Sequence, residues 1–160
     1  MMFGKFLGLP VHPLIVHAAV VLVPLLALTS SAYAAMPRVR QTLAWPVTAL
    51  ALAGPAAAVL ARQSGLAFAQ GFLSGEGLRL TQFGRRIIEH ESFGLPTVLI
   101  TIMLGAGALL LVATTSDVFG RRLWPRSHRG FAVITLLAAT AATYYVAMAG
   151  HSGAAAVWSR

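Results

Sequence analysis

Four long apolar runs, each bounded by arginine, proline or glycine, constrain this chain more than any other feature. About 20 apolar residues, wound as a helix, cross the roughly 30 Å hydrocarbon core of a bilayer. Inside lipid every backbone N–H and C=O must find its partner within the protein, so such runs cross as helices. The runs cover residues 12–36, 42–62, 86–116 and 130–157. They predict an all-α fold: an integral membrane four-helix bundle, one transmembrane domain over residues 1–160, with both termini on the same, outer side. Composition supports this. Apolar residues make up 58% of the chain and charged residues only 10%, against about 25% charged in ordinary soluble domains. A soluble enzyme, a DNA-binding domain and a disordered tail are excluded on that ground. The chain has no cysteine, so it holds no disulfide, thiolate metal site or iron–sulfur cluster of its own.

Prolines punctuate the runs. Pro13 sits at a helix start, where its missing N–H costs nothing. Pro24 and Pro96 are expected to bend spans one and three, and Gly54-Pro55 to bend span two in mid-membrane. Residues 62–91 hold Glu76, Glu89 and Glu91, three of the four carboxylates. They read as an extramembrane connection with a short amphipathic piece near Leu66–Phe72 and a helix starting near Leu78. Small residues crowd spans two to four (Ala56-Ala57-Ala58, Gly105-Ala106-Gly107, Ala138-Ala139, Ala141-Ala142), which suits close helix packing in lipid. No internal repeat is clear enough to use. A cleaved leader over residues 1–35, with Ala32-Tyr33-Ala34 as its cleavage box, is the rival to a first span. Its apolar run is longer than the 7–15 residues such leaders use, and it contains Pro24.

The formal net charge is +8. Arg38, Arg40, Arg121, Arg122, Arg126 and Arg129 crowd the short loops after spans one and three, whereas Lys5, Arg62, Arg79, Arg85, Arg86 and Arg160 are spread over the other side among three glutamates. Dense basic residues in short loops mark the cytoplasmic face, so both termini are expected outside. Trp45, Trp124 and Trp158 fall near span ends, as an aromatic belt would. No span carries an acidic or basic residue at mid-depth, which argues against a transporter with an ion pathway.

Alternating crossings return the start of span one, the start of span three and the end of span four to one rim. His12, His17, His90 and His151 are therefore expected at one depth, with Glu89 and Glu91 beside them. His128 lies in the opposite loop. Imidazole nitrogen is a ligand for haem iron, copper and zinc, and helical bundles build such sites from facing helices. A metal ion would draw on His12, His17, His90, Glu91 and His151. Haem b would take axial ligands from His17, His90 and His151, with Gly150, Gly153 and Ala147 making room for the macrocycle and Arg85 and Arg86 facing its propionates. His12 and His17 are five residues apart, about 140° around a helix, so both cannot face one site if both are helical. Spacing leaves haem and a bare ion open. The bland reading is that these rings are amphipathic interface residues or make structural hydrogen bonds in a non-catalytic scaffold. Ser152 beside His151 has no orienting acid in sequence, so no hydrolytic constellation follows. Tyr144 and Tyr145 read as packing residues, and Gln63 and Gln82 as the lining of a polar vestibule.

The segment Gly8-Leu9-Pro10-Val11-His12-Pro13-Leu14-Ile15-Val16-His17, the Glu89-His90-Glu91 approach to span three and Gly150-His151-Ser152-Gly153-Ala154 at the end of span four resemble the bacterial membrane proteins grouped as domain of unknown function 2231. The resemblance covers nearly the whole chain. Where family members carry Phe-Pro after the second histidine, this chain has Ala18-Ala19. The resemblance implies a four-helix protein of the bacterial cytoplasmic membrane. Relatives are sometimes fused to a Rieske-type iron–sulfur domain, which implies electron transfer with an external redox partner of that kind. A homo-oligomer is compatible with it.

Overall fold

The small, apolar residues of the four runs form the helices that bilayer physics demands. In the computed structural model, residues 5–6, 9–73, 81–116 and 128–158 are described. Helix α1 spans Val11–Ala35. A 3-10 turn at Pro37–Val39 leads into α2, Arg40–Leu73. Helix α3 is Gln82–Ser92, α4 is Gly94–Thr115 and α5 is His128–Trp158. Ahead of α1, the two-residue strands Lys5–Phe6 (β1) and Leu9–Pro10 (β2) pair antiparallel. With α3 and α4 counted as one crossing, four helical segments are long and apolar enough to span a membrane. The all-α four-helix bundle is thus what the chain forms, and its surroundings are a lipid bilayer.

The 62–73 segment departs from expectation. It is not a separate amphipathic piece, because α2 continues through it to Leu73. Helix α2 also runs through Pro46 and Pro55 without a break. Proline does interrupt the third crossing. Pro96 has no N–H to offer the Ser92 carbonyl, and α3 hands over to α4 at Phe93, whose N–H bonds back to His90. Thr81 caps α3, accepting from the Gly84 N–H at 3.0 Å. Glu76, Arg79, Arg121, Arg122, Arg126 and Trp124 lie outside the described residues. Trp45 and Trp158 are both exposed at span ends, as the belt reading expects.

Helix α1 packs on α2 and α5, and α4 packs on the same two, so α1 and α4 face each other diagonally. The core between them is Val23, Leu26, Tyr33, Leu104, Leu111 and Val112, with Val47, Ala51, Ala139 and Ala142 from α2 and α5. At one end of the bundle, Tyr33 is fully buried and its hydroxyl lies 2.9 Å from Thr115 Oγ1. Thr115 donates its own proton to the Leu111 carbonyl, so Tyr33 is the donor in this bond. At that end Arg40 also caps α1, donating to the carbonyls of Tyr33 and Ala34 at 3.1 and 3.3 Å. In its last turn α1 has no basic residue. The arginine beyond the turn supplies the cationic cap that the free carbonyls favour.

Helices α2 and α4 come close together at one glycine. The Ala51 carbonyl would normally bond the N–H four residues on, but that residue is Pro55. Helix α4 presses Gly105 against it: a Cβ on Gly105 would stand 2.6 Å from the Ala51 oxygen. Between α1 and α5 a groove of about 470 Å³ remains instead, lined by Ala27, Leu28, Ser31, Ala139, Thr140, Thr143 and Tyr144.

Candidate functional site

Two serines fix the chemistry at the other end of the bundle. Ser64, near the end of α2, is fully buried and donates its hydroxyl proton to the Ala61 carbonyl at 2.9 Å. His12, in the first turn of α1, places Nδ1 3.0 Å from Ser64 Oγ. Because the only hydroxyl proton is already given away, Ser64 accepts, and His12 donates from Nδ1. The same arrangement recurs across the bundle. Ser152 of α5 donates to the Ala149 carbonyl at 3.1 Å, and His90 of α3 places Nδ1 3.0 Å from Ser152 Oγ. Both rings are thereby fixed as Nδ1–H tautomers, and the lone pair of each sits on Nε2.

The glycine that follows each serine lets the ring approach. A Cβ on Gly65 would lie 3.0 Å from His12 Cε1, and a Cβ on Gly153 would lie 3.1 Å from His90 Cε1. The two imidazoles then meet at 6.4 Å between ring centres, with 62° between their planes. Phe68 stacks on His12 with 5.9 Å between ring centres.

This matching extends along the helices. A shift of 78 residues carries His12 to His90, and it carries Val23, Leu26, Ser30, Tyr33 and Ala34 to Thr101, Leu104, Ala108, Leu111 and Val112, all buried. A shift of 88 residues carries Ser64-Gly65 to Ser152-Gly153, and Val47, Ala51, Gly54 and Ala58 to Thr135, Ala139, Ala142 and Val146, again all buried. By these correspondences the chain divides into two helical hairpins of like design, α1–α2 and α4–α5, in which His12 and His90 hold equivalent places and meet. No repeat is usable in the sequence alone, because the identities that survive these shifts are few and mostly common apolar residues, and the two helices of a hairpin shift by different amounts.

The other expected ligands are placed elsewhere. His17 is exposed and its Nδ1 bonds the Pro13 carbonyl of its own helix, as the 140° separation from His12 requires. His151 and Glu91 are exposed. Glu91 lines a groove of about 500 Å³ between α2 and the α3–α4 step, with Leu66, Ala69, Gln70, Ile88, Ser92 and Leu95. Among the described residues no group of three or more His, Cys, Asp or Glu stands together as a metal cage. Arg86 donates to the Ala155 carbonyl at 2.8 Å, tying α3 to α5. Gly153 makes room for His90, whereas nothing stands within 4 Å of a Cβ on Gly150. Ser152, which the sequence sets beside His151, serves His90 instead. Ser64 and Gly65 were missed. The signal for them was the Ser-Gly pair repeated near the ends of spans two and four.

Ser64→Ala and Ser152→Ala each remove one interhelical hydrogen bond. Such bonds in lipid are worth about 0.6–1.5 kcal/mol. Equal losses in unfolding free energy, measured by denaturing-detergent titration, are expected for the two variants. A loss in only one would show that the half-sites are not equivalent.

A family model described as predicted membrane protein (DUF2231) matches residues 8–160. No curated protein and no solved structure matches the chain.

Proposed function

The chain belongs to the DUF2231 family of predicted membrane proteins, and on that premise we propose that its histidine-bearing end holds a redox-active transition metal, as haem b iron or as a bare ion, and exchanges electrons with an external partner of Rieske type. One observation carries this reading: His12 and His90, 78 residues apart, converge with both Nδ1 atoms committed to serine hydroxyls. Metal-bound histidines characteristically donate their second ring N–H to a fixed acceptor, which sets the tautomer and aims the free nitrogen. The dense arginines at 38–40 and 121–129 in the sequence support a cytoplasmic side opposite the histidines, and with it an imidazole pair facing outward from a bacterial cytoplasmic membrane. His17, Glu91 and His151 remain at the same rim, available to a ligand that reorders it.

A second reading has its own support. The two His–Ser bonds tie α1 to α2 and α3 to α5, which is what a non-catalytic scaffold or assembly subunit would need. The readings separate on purified full-length protein by its visible absorption spectrum and its metal content. The metal reading expects a Soret band or about one metal per chain, lost in His12→Ala and in His90→Ala. A colourless preparation without stoichiometric metal, in which those variants only lower the melting temperature, leaves the scaffold reading standing and overturns the first.

A further inference from the structure

Resting on the metal reading above, we infer that the ligand is a single cuprous ion held in two-coordinate, near-linear fashion between His12 Nε2 and His90 Nε2. The geometry has four parts. The tautomers leave one lone pair on each ring, and these two nitrogens are the donors the pair supplies. The ring centres are 6.4 Å apart. Two metal–imidazole bonds of about 2.0 Å, with about 1.1 Å from each nitrogen to its ring centre, place the centres about 6.2 Å apart. The ring centres thus already stand at about the separation that one ion between two imidazole nitrogens requires. No third His, Cys, Asp or Glu among the described residues joins them in a cage.

Donor count then selects the metal. Zinc in proteins takes three or four protein ligands in tetrahedral array. Copper binds imidazole, and its monovalent form, with a filled d shell, accepts two donors in line. Haem iron would also take two imidazoles, but it brings a macrocycle. His12 is already packed against Phe68 and Gly65, and His90 against Gly153. Inserting a porphyrin between the rings would part the two hairpins across the whole end of the bundle, whereas a bare ion occupies only the space between two nitrogens. The two ligands are equivalent in their support, with a serine and a glycine behind each.

The experiment is anaerobic titration of the full-length protein in detergent with Cu(I), in competition with a chromophoric cuprous chelator, alongside separate titrations with Zn(II) and with haemin. X-ray absorption is recorded on the copper-loaded sample. The expected result is one Cu(I) per chain, with two nitrogen scatterers and no further first-sphere ligand. Affinity should fall at least a hundredfold in His12→Ala and in His90→Ala and remain within twofold in His17→Ala and His151→Ala. Because the absorption measurement uses the wild-type protein, the result does not depend on any variant folding. Three or four first-sphere ligands, or equal retention of Cu(I) by His12→Ala and His90→Ala, would overturn the inference. A Soret band with haemin and no Cu(I) uptake would overturn it while sparing the metal reading. Failure of all three ligands to bind would remove both.

Discussion

Gly105→Ala is expected to destabilise the bundle by about 2–3 kcal/mol, within the range for methyl groups forced into close-packed sites. The added Cβ would stand 2.6 Å from the Ala51 carbonyl oxygen and 3.0 Å from Pro55 Cγ. Neither neighbour can swing aside, one being backbone and the other a ring closed onto backbone. Helix α4 would have to withdraw from α2, and lipid-embedded helices depend on such close approach because lipid offers apolar surface as good as a loose interface. The contact also places the Gly105 Cα against a carbonyl that Pro55 leaves without its helical N–H, a setting for a weak Cα–H···O bond. Gly130→Ala and Gly150→Ala are the controls. Nothing lies within 4 Å of either added methyl, and alanine favours helix over glycine by up to about 1 kcal/mol. Denaturing-detergent titration of the three variants checks this, and a Gly105→Ala protein as stable as wild type would mean that α2 and α4 are not in contact as described.

Leu26→Ala and Leu104→Ala should each cost about 2–4 kcal/mol, the range for leucine truncation in a packed core, and the two costs should agree to within about 1 kcal/mol. Both side chains are fully buried, and they hold corresponding positions in α1 and α4. In a bilayer the loss comes from dispersion contacts that the cavity leaves unmade rather than from transfer out of water. Leu28→Ala, at a position 70% exposed toward lipid, should cost far less. Unequal costs for the two buried leucines would deny the internal symmetry, whereas equal costs with a large effect at Leu28 would place the core on another face.

The pseudo-symmetry also accounts for the one seam that differs. Gly105 corresponds to Ala27, Ala51 to Ala139 and Pro55 to Thr143 under the same shifts. Between α2 and α4 these residues touch. Between α1 and α5 the Ala27 methyl takes the place where Gly105 has none, Thr143 replaces the proline, and a groove opens.

At the site, sequence arithmetic went part of the way. Counting crossings put His12, His90 and His151 at one rim, and helical spacing separated His17 from His12. It could not say that His90 would meet His12 while His151, one residue from Ser152, would turn outward. A serine in an apolar helix carries no distinguishing mark until its partner is known. Ser64 and Ser152 matter because each lies opposite an imidazole on another helix, and that opposition is a property of two chain segments rather than one.

What the residues alone determined was the solvent and the number of crossings. Runs of apolar residues too long and too uncharged for a soluble fold must lie in lipid, and lipid permits only helices there. What the tertiary structure decided was how each helix is rotated about its axis. A surface helix of a soluble protein declares its inner face by a hydrophobic stripe, but a span is apolar all round. Core and lipid attract its faces almost equally, so the rotation follows close packing at Gly105 and the polar bonds at Ser64, Ser152 and Thr115, which exist only once neighbouring helices are in place.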